Sequence, residues 1–193
     1  WTLESRSTNL PVQSTPLIGR ERELAAVTSL VRQEQVRLVT LTGAAGSGKT
    51  RLALQAGAEL IEGFADGVFV VGFVGVADSE LVLPTVAQTL GVTESGARPL
   101  ADALCDFLHD KQALLVLDNL EHLLEAAPLL GDLLVAAPGL KLLVSSRAAL
   151  RLTAEHDYPV PPLSLPNPDR LPELASLARY ESVALFLDRA RAV

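Results

Sequence analysis

Val36-Arg37-Leu38-Val39-Thr40-Leu41-Thr42-Gly43-Ala44-Ala45-Gly46-Ser47-Gly48-Lys49-Thr50 decides how the chain is read. An apolar run of strand length leads directly into G-x-x-x-x-G-K-[ST], and Leu52, Ala53, Ala56 and Leu60 then recur at helical spacing. Strand, glycine-rich turn and helix, in that order, suit a phosphate chain. Its oxygens need backbone N–H groups pointing inward, so glycines stand where a Cβ would block approach or where φ must be positive. The helix N-terminus adds partial positive charge at the anion. On this reading Gly43, Ala44, Ala45, Gly46, Ser47 and Gly48 form the cradle, Lys49 reaches the β- and γ-phosphates, and Thr50 offers its hydroxyl to Mg²⁺.

Outward from this segment, strand-length apolar runs alternate with helix-length periodic ones. Strands are expected over residues 36–42, 68–74, 113–118 and 140–145, with a short fifth over 158–160. Helices are expected over 20–34, 49–62, 79–90, 100–109 and 120–136, and Pro128 predicts a kink or break near Ala127 in the last. Nearly continuous apolar strands belong to a parallel sheet covered on both faces, so the fold class is α/β with a five-stranded parallel sheet. Residues 1–16 are a polar tail that only Leu3, Leu10 and Val12 could tie down, and 17–160 are the phosphate-binding domain. Residues 161–180 form a proline-rich connector. The segment 181–193 places Val183, Phe186, Leu187 and Ala190 on one helical face and reads as the first helix of a helical domain that continues elsewhere. A chain that begins at Trp1 and has no methionine is expected to be a piece of a longer polypeptide.

Composition narrows the function. Sixteen Lys and Arg against 23 Asp and Glu give a net charge of −7, the wrong sign for a surface that binds a phosphate backbone. DNA contact is therefore expected only through domains outside this chain. One cysteine, Cys105, cannot form an internal disulfide or a zinc site, which fits a cytoplasmic protein. No apolar run approaches the roughly 20 residues of a membrane span.

A phosphoryl-transfer site needs a second half, a carboxylate at the end of a neighbouring strand. Asp118 closes the run 113–118 and is the expected Mg²⁺ holder, although an Asp there also suits a helix N-cap. Asn119 follows, and an amide cannot accept the proton of an attacking water. Glu121 is the nearest substitute, or simply a residue of an acidic face. Arg147 ends the next strand on the same carboxyl edge, where open α/β sheets bind ligands, and can reach a γ-phosphate; the bland alternative is a solvated loop arginine. Arg51 and Arg151 are weaker candidates of that kind. His109, His122 and His156 are too scattered for a metal site.

Leu17-Ile18-Gly19-Arg20-Glu21, the loop 43–50, LLVLDNLEH over 114–122, LVSSR over 143–147 and YPVPPL over 158–163 stand here in the order typical of STAND-class signalling ATPases. More closely, the set resembles the NB-ARC-like P-loop NTPase domain of bacterial regulators of the LuxR and AfsR types. The resemblance implies a sheet in which the Arg147 strand separates the phosphate-loop strand from the Asp118 strand. It also implies that Ile18, Gly19 and Arg20 line the adenine pocket, with Pro162 and its neighbours on the other side of the base. Such modules bind ATP or ADP with Mg²⁺, switch between states and self-associate in the full-length protein; with Asn119 in place of an acid, slow hydrolysis of ATP is expected of this one. Two other functions compete. A small-substrate kinase needs a mobile basic lid, but only Lys49, Lys111 and Lys141 are present. A scaffold that has lost nucleotide binding is at odds with intact Lys49, Thr50 and Asp118.

Overall fold

The computed structural model describes residues 7–93, 98–170 and 172–191. The apolar run after Val36 becomes β1 (Leu38–Thr42), buried along its whole length. It lies between β4 (Lys141–Ser145) and β5 (Glu155–Pro159), with Leu38 opposite both Leu142 and Glu155. Next to β4 runs β3 (Ala113–Asp118), and next to that β2 (Gly67–Gly72). The order is β2-β3-β4-β1-β5 and every pairing is parallel, so β4 does separate the phosphate-loop strand from the Asp118 strand.

Alternate residues of each strand feed two cores. Leu114, Val116, Val39, Leu41 and Leu143 meet α1 (Glu21–Arg32) and α2 (Lys49–Leu60) through Val27, Val31, Leu52, Ala56 and Leu60. Leu115, Leu117, Leu38, Leu142 and Val144 pack against α3 (Val82–Leu90), α4 (Leu100–Leu108) and α5 (Ala127–Ala136) through Val86, Leu104, Leu108, Leu130 and Leu133. A sheet covered on both faces explains why its central strands show no polar alternation.

Several expectations need correction. Residues 120–136 are not one helix: 3₁₀ turns occupy Leu120–His122 and Leu124–Ala126, and α5 starts at Ala127. The break expected near Ala127 is there: Pro128 has no N–H and is tolerated in a helix's first turn, so it stands at the start of α5 and kinks nothing. The fifth strand starts at Glu155, three residues before the expected position, because this edge strand leaves His156 and Asp157 exposed and carries no apolar run. The connector contains a short helix, α6 (Leu174–Leu177), and α7 (Glu181–Arg191) follows with Phe186 and Leu187 exposed.

The tail is held mainly by polar contacts. Asn9 Nδ2 donates to Val70 O at 2.8 Å and Asn9 Oδ1 accepts from Val70 N at 2.6 Å, while Thr8 forms a parallel bridge with Val68. Leu10 does pack on the core, but Val12 is exposed; Leu3 lies outside the described residues.

Two stability predictions follow from this packing. Thr40 is fully buried and its hydroxyl has no hydrogen-bond partner, so Thr40→Val, which keeps the shape, should raise stability by about 1 kcal/mol in urea titration. At the opposite end of the sheet the Gln112 N–H at 2.8 Å and the Lys111 ammonium at 2.9 Å hold the Asp66 carboxyl below its ordinary range. A depressed carboxylate contributes stability above its unfolded pKa of about 3.9 and loses it as pH falls through the folded value. Asp66→Asn should therefore be less stable than the parent at pH 7, and the gap should begin to narrow below about pH 3.9 and close only below the lowered folded value in acid titrations.

Candidate functional site

Because the strands are parallel, their carboxyl ends share one edge, and the segments leaving β1, β3 and β4 meet there. The turn after β1 places Gly46 at φ +77° and Gly48 at φ +91°, with open space where each Cβ would stand. Gly48 leads straight into α2, whose N-terminus has no side-chain cap, so its first N–H groups face the turn's concavity. Lys49 is buried and its ammonium donates to Gly43 O and Ala44 O, both at 2.9 Å. Ser47 Oγ is buried without a partner. Inward N–H groups, an enclosed ammonium and an orphaned hydroxyl fit a phosphate chain.

Thr50 Oγ1 donates to Asp118 Oδ1 at 2.7 Å, and Ser145 Oγ donates to the same oxygen. Ser145 Oγ in turn accepts from Asn119 N at 3.0 Å. Asn119 takes φ +67°, which turns the chain sharply after β3 and gives its side chain no capping bond to the 3₁₀ turn that follows. Asp118 is therefore tied to Thr50 and Ser145, and Asn119 makes no cap. A hydroxyl and a carboxylate in contact are the hard oxygen ligands that suit Mg²⁺. Arg147 Nε donates to Glu121 Oε1 at 2.9 Å. Lys49, Thr50, Asn119, Glu121, Ser145 and Arg147 line one cavity of about 430 Å³.

A second cavity, about 500 Å³, lies on the other side of the loop. Ile18, Arg20, residues 44–48, Arg51 and Pro162 line it. Gly19 and Gly43 line neither cavity; at both a side chain would collide with a neighbour, and Gly43 also offers its carbonyl to Lys49. A Cβ on Gly19 would stand 2.6 Å from Glu181 Cβ, and one on Gly43 would stand 2.7 Å from Val160 O. Arg151 also lines neither; it sits in the turn before β5, where Glu155 accepts from its N–H. Arg51 gives its terminal nitrogens to Gln13 and to Thr15 O, anchoring the tail, while its Nε is buried without a partner. Sequence reasoning missed Pro16, Leu165 and the wall formed by Ser182, Leu185 and Arg189 of α7. These last three stand at i, i+3 and i+7, so a second helical face was readable beside the apolar one.

Arg20 is 3 % exposed and ties this site together. Its Nη2 donates to Ser47 O at 2.9 Å and to Pro161 O at 2.5 Å, and its Nη1 pairs with Glu23 at 3.2 Å. Its guanidinium thus joins the phosphate loop to the connector and offers less to a bound base than the motif suggests.

A family model for the NB-ARC domain matches residues 20–130. The chain belongs to the NB-ARC family. Similar proteins of Mycobacterium tuberculosis include an uncharacterized one, 38 % identical over 180 residues that cover 93 % of this chain and 42 % of the relative. Another carries the provisional name HTH-type transcriptional regulator and is 38 % identical over 162 residues, 82 % of this chain and 16 % of the relative. The chain thus spans less than half the length of these curated relatives. Among solved structures, Cdc6p from Pyrobaculum aerophilum superposes with a TM-score of 0.61 at 17 % identity, covering 94 % of this chain and 52 % of that one. A STAND protein with a tetratricopeptide repeat sensor from Pyrococcus horikoshii gives 0.53 at 18 % identity, covering 88 % and 26 %. At those identities the likeness speaks for the fold, the α/β architecture of P-loop NTPases.

In this NB-ARC domain Arg20→Ala removes a buried cation from two carbonyls and a carboxylate. Charge-assisted bonds are worth roughly 1.5–3 kcal/mol each, so the variant should lose at least about 2 kcal/mol of stability in denaturant titration. Arg20→Lys, whose single ammonium cannot replace both Nη2 at the two carbonyls and Nη1 at Glu23, should recover only part of it.

Proposed function

We propose that this NB-ARC module binds ATP or ADP with Mg²⁺, hydrolyses ATP slowly, and uses the γ-phosphate to control self-association of the full-length protein and an attached transcriptional effector. The observation that carries the reading is the convergence of Lys49, Thr50 and Arg147 on one cavity beside Asp118. In this reading the loop 43–48 and the α2 N-terminus bind the phosphates and Lys49 takes the β- and γ-oxygens. Thr50 and Asp118 hold the metal, which when bound offsets phosphate charge. The apolar cavity takes adenine between Ile18 and Pro162. Slow turnover agrees with Asn119, whose amide takes no proton, and with Glu121, whose carboxylate is engaged by Arg147.

Two bonds to the γ-phosphate nearly suffice for the proposed switch. Moving an equilibrium from 1:99 to 99:1 takes about 5.5 kcal/mol of differential affinity. Bonds from Lys49 and Arg147 to a γ-phosphate, at roughly 1.5–3 kcal/mol each, supply about 3–6. The net charge of −7 leaves DNA contact to domains outside this chain, in line with a relative named as a transcriptional regulator. A supply of ATP places the module in the cytoplasm; separately, no described helix is long and apolar enough to cross a membrane. On this proposal α7 opens a helical domain that closes over the nucleotide.

Titration with a fluorescent adenine nucleotide should give saturable, Mg²⁺-dependent binding that Lys49→Ala abolishes, with slow phosphate release lost in the same variant. An unchanged titration in Lys49→Ala would rule the proposal out. Arg147→Ala should weaken ATP about tenfold or more while leaving ADP within about twofold, measured by calorimetry. Equal losses for both nucleotides would remove Arg147 from the sensing role.

A further inference from the structure

Arg147 reaches the phosphate cavity with a side chain that is itself held. Its Nε donates to Glu121 Oε1 at 2.9 Å, and the two partners differ sharply in exposure: 56 % for the arginine side chain and 10 % for the glutamate. An enclosed carboxylate has lost much of its hydration, and Arg147 is its one ion-pair partner among the described residues. Pulling the arginine away would leave an unpaired, largely buried charge, so separating the pair is costly.

The anchoring bond involves Nε alone. Among the described residues neither Nη1 nor Nη2 makes a hydrogen bond, and the guanidinium is a rigid planar fork with four N–H groups on those two atoms. The glutamate's own position is fixed from two sides. Leu120, fully buried, pins the 3₁₀ turn Leu120–His122, and the turn is launched by Asn119, whose N–H is bound by Ser145 Oγ. That hydroxyl is also bonded to Asp118. Hydrogen bonds therefore join Asp118 to Ser145 and Ser145 to Asn119, the backbone of the turn leads on to Glu121, and Glu121 holds Arg147.

We infer that Glu121 is a positioning residue for nucleotide discrimination, anchoring Arg147 at Nε so that Nη1 and Nη2 face the γ-phosphate of a nucleoside triphosphate in the cavity shared with Lys49 and Thr50. The inference rests on the sensing role proposed for Arg147. Ordering the long arginine side chain before the ligand arrives removes that entropy cost from the binding step, and only the nucleotide that carries a γ-phosphate benefits.

The test is a set of Mg²⁺-ATP and Mg²⁺-ADP titrations on the parent chain, Glu121→Ala, Glu121→Leu, Glu121→Gln and Arg147→Ala. Glu121→Ala should lower ATP affinity about fivefold and leave ADP within about twofold, and Glu121→Leu, which keeps the buried volume, should do the same even if the alanine variant fails to fold. Glu121→Gln should restore most of the ATP affinity, because its amide oxygen accepts the same Nε–H; a merely structural role predicts no nucleotide-selective rescue. Tighter ATP binding in any Glu121 variant would overturn the inference, since the carboxylate would then be competing with phosphate. An unchanged ATP-to-ADP ratio in Glu121→Leu would overturn it as well. If Arg147→Ala loses ATP selectively while the Glu121 variants do not, positioning by Glu121 fails alone; if Arg147→Ala affects both nucleotides equally, the sensing role itself fails.

Discussion

A single carboxylate oxygen, Asp118 Oδ1, accepts hydrogen bonds from both Thr50 and Ser145, and the geometry of the site depends on this junction. Thr50 belongs to the first turn of α2, just beyond β1; Asp118 ends β3; Ser145 ends β4, the strand between them. Parallel pairing brings all three to one rim, and β4 opens the gap that the phosphate loop enters. Ser145 then accepts from Asn119 N, which holds the backbone as it leaves β3. Two hydroxyls, one carboxylate and one amide thus fix the metal side and the arginine side of the cavity relative to each other.

The two cavities are built on different physical terms. The one beside Lys49 is polar and made from strand ends and the α2 N-terminus, elements whose positions the sheet dictates. The other is walled by Pro16, Leu17, Ile18, Pro162, Leu163 and Leu165, together with one face of α7, all from segments outside the sheet. Arg20 connects them, bonding the phosphate loop through Ser47 O and the connector through Pro161 O. A buried guanidinium suits that work because Nη2 can serve both carbonyls while Nη1 stays paired with Glu23. Movement of the connector is therefore felt at the loop.

Much of this was legible in the sequence, and the parts that were not share a cause. The central strands, the loop 43–50, Asp118 and Arg147 announce themselves because burial on both faces imposes continuous apolar runs and phosphate geometry imposes glycines at fixed spacing. The 3₁₀ turns over 120–126 share helical periodicity with an α-helix, so pattern alone could not separate them; Pro128 marked the boundary but not the geometry before it. β5 is an edge strand with a wet outer face, and its start at Glu155 carries no apolar signal. Arg20 sat in a recognisable motif, yet its partners lie 27 and 141 residues away, and only the folded chain brings them together.

The side-chain amide of Asn9 has a consequence for how the molecule behaves in company. β2 is the outermost strand of the sheet on its side, and a bare parallel edge invites another chain to dock there. Ser7 O accepts from Val68 N, while Asn9 serves both the N–H and the carbonyl of Val70 with one amide. The tail therefore mimics a sixth strand at Val68 and Val70 and then veers off toward Arg51, covering part of the edge without extending it. Those backbone groups of β2 are thus spoken for by the chain itself, and a passing strand finds no free partner at Val68 N or Val70.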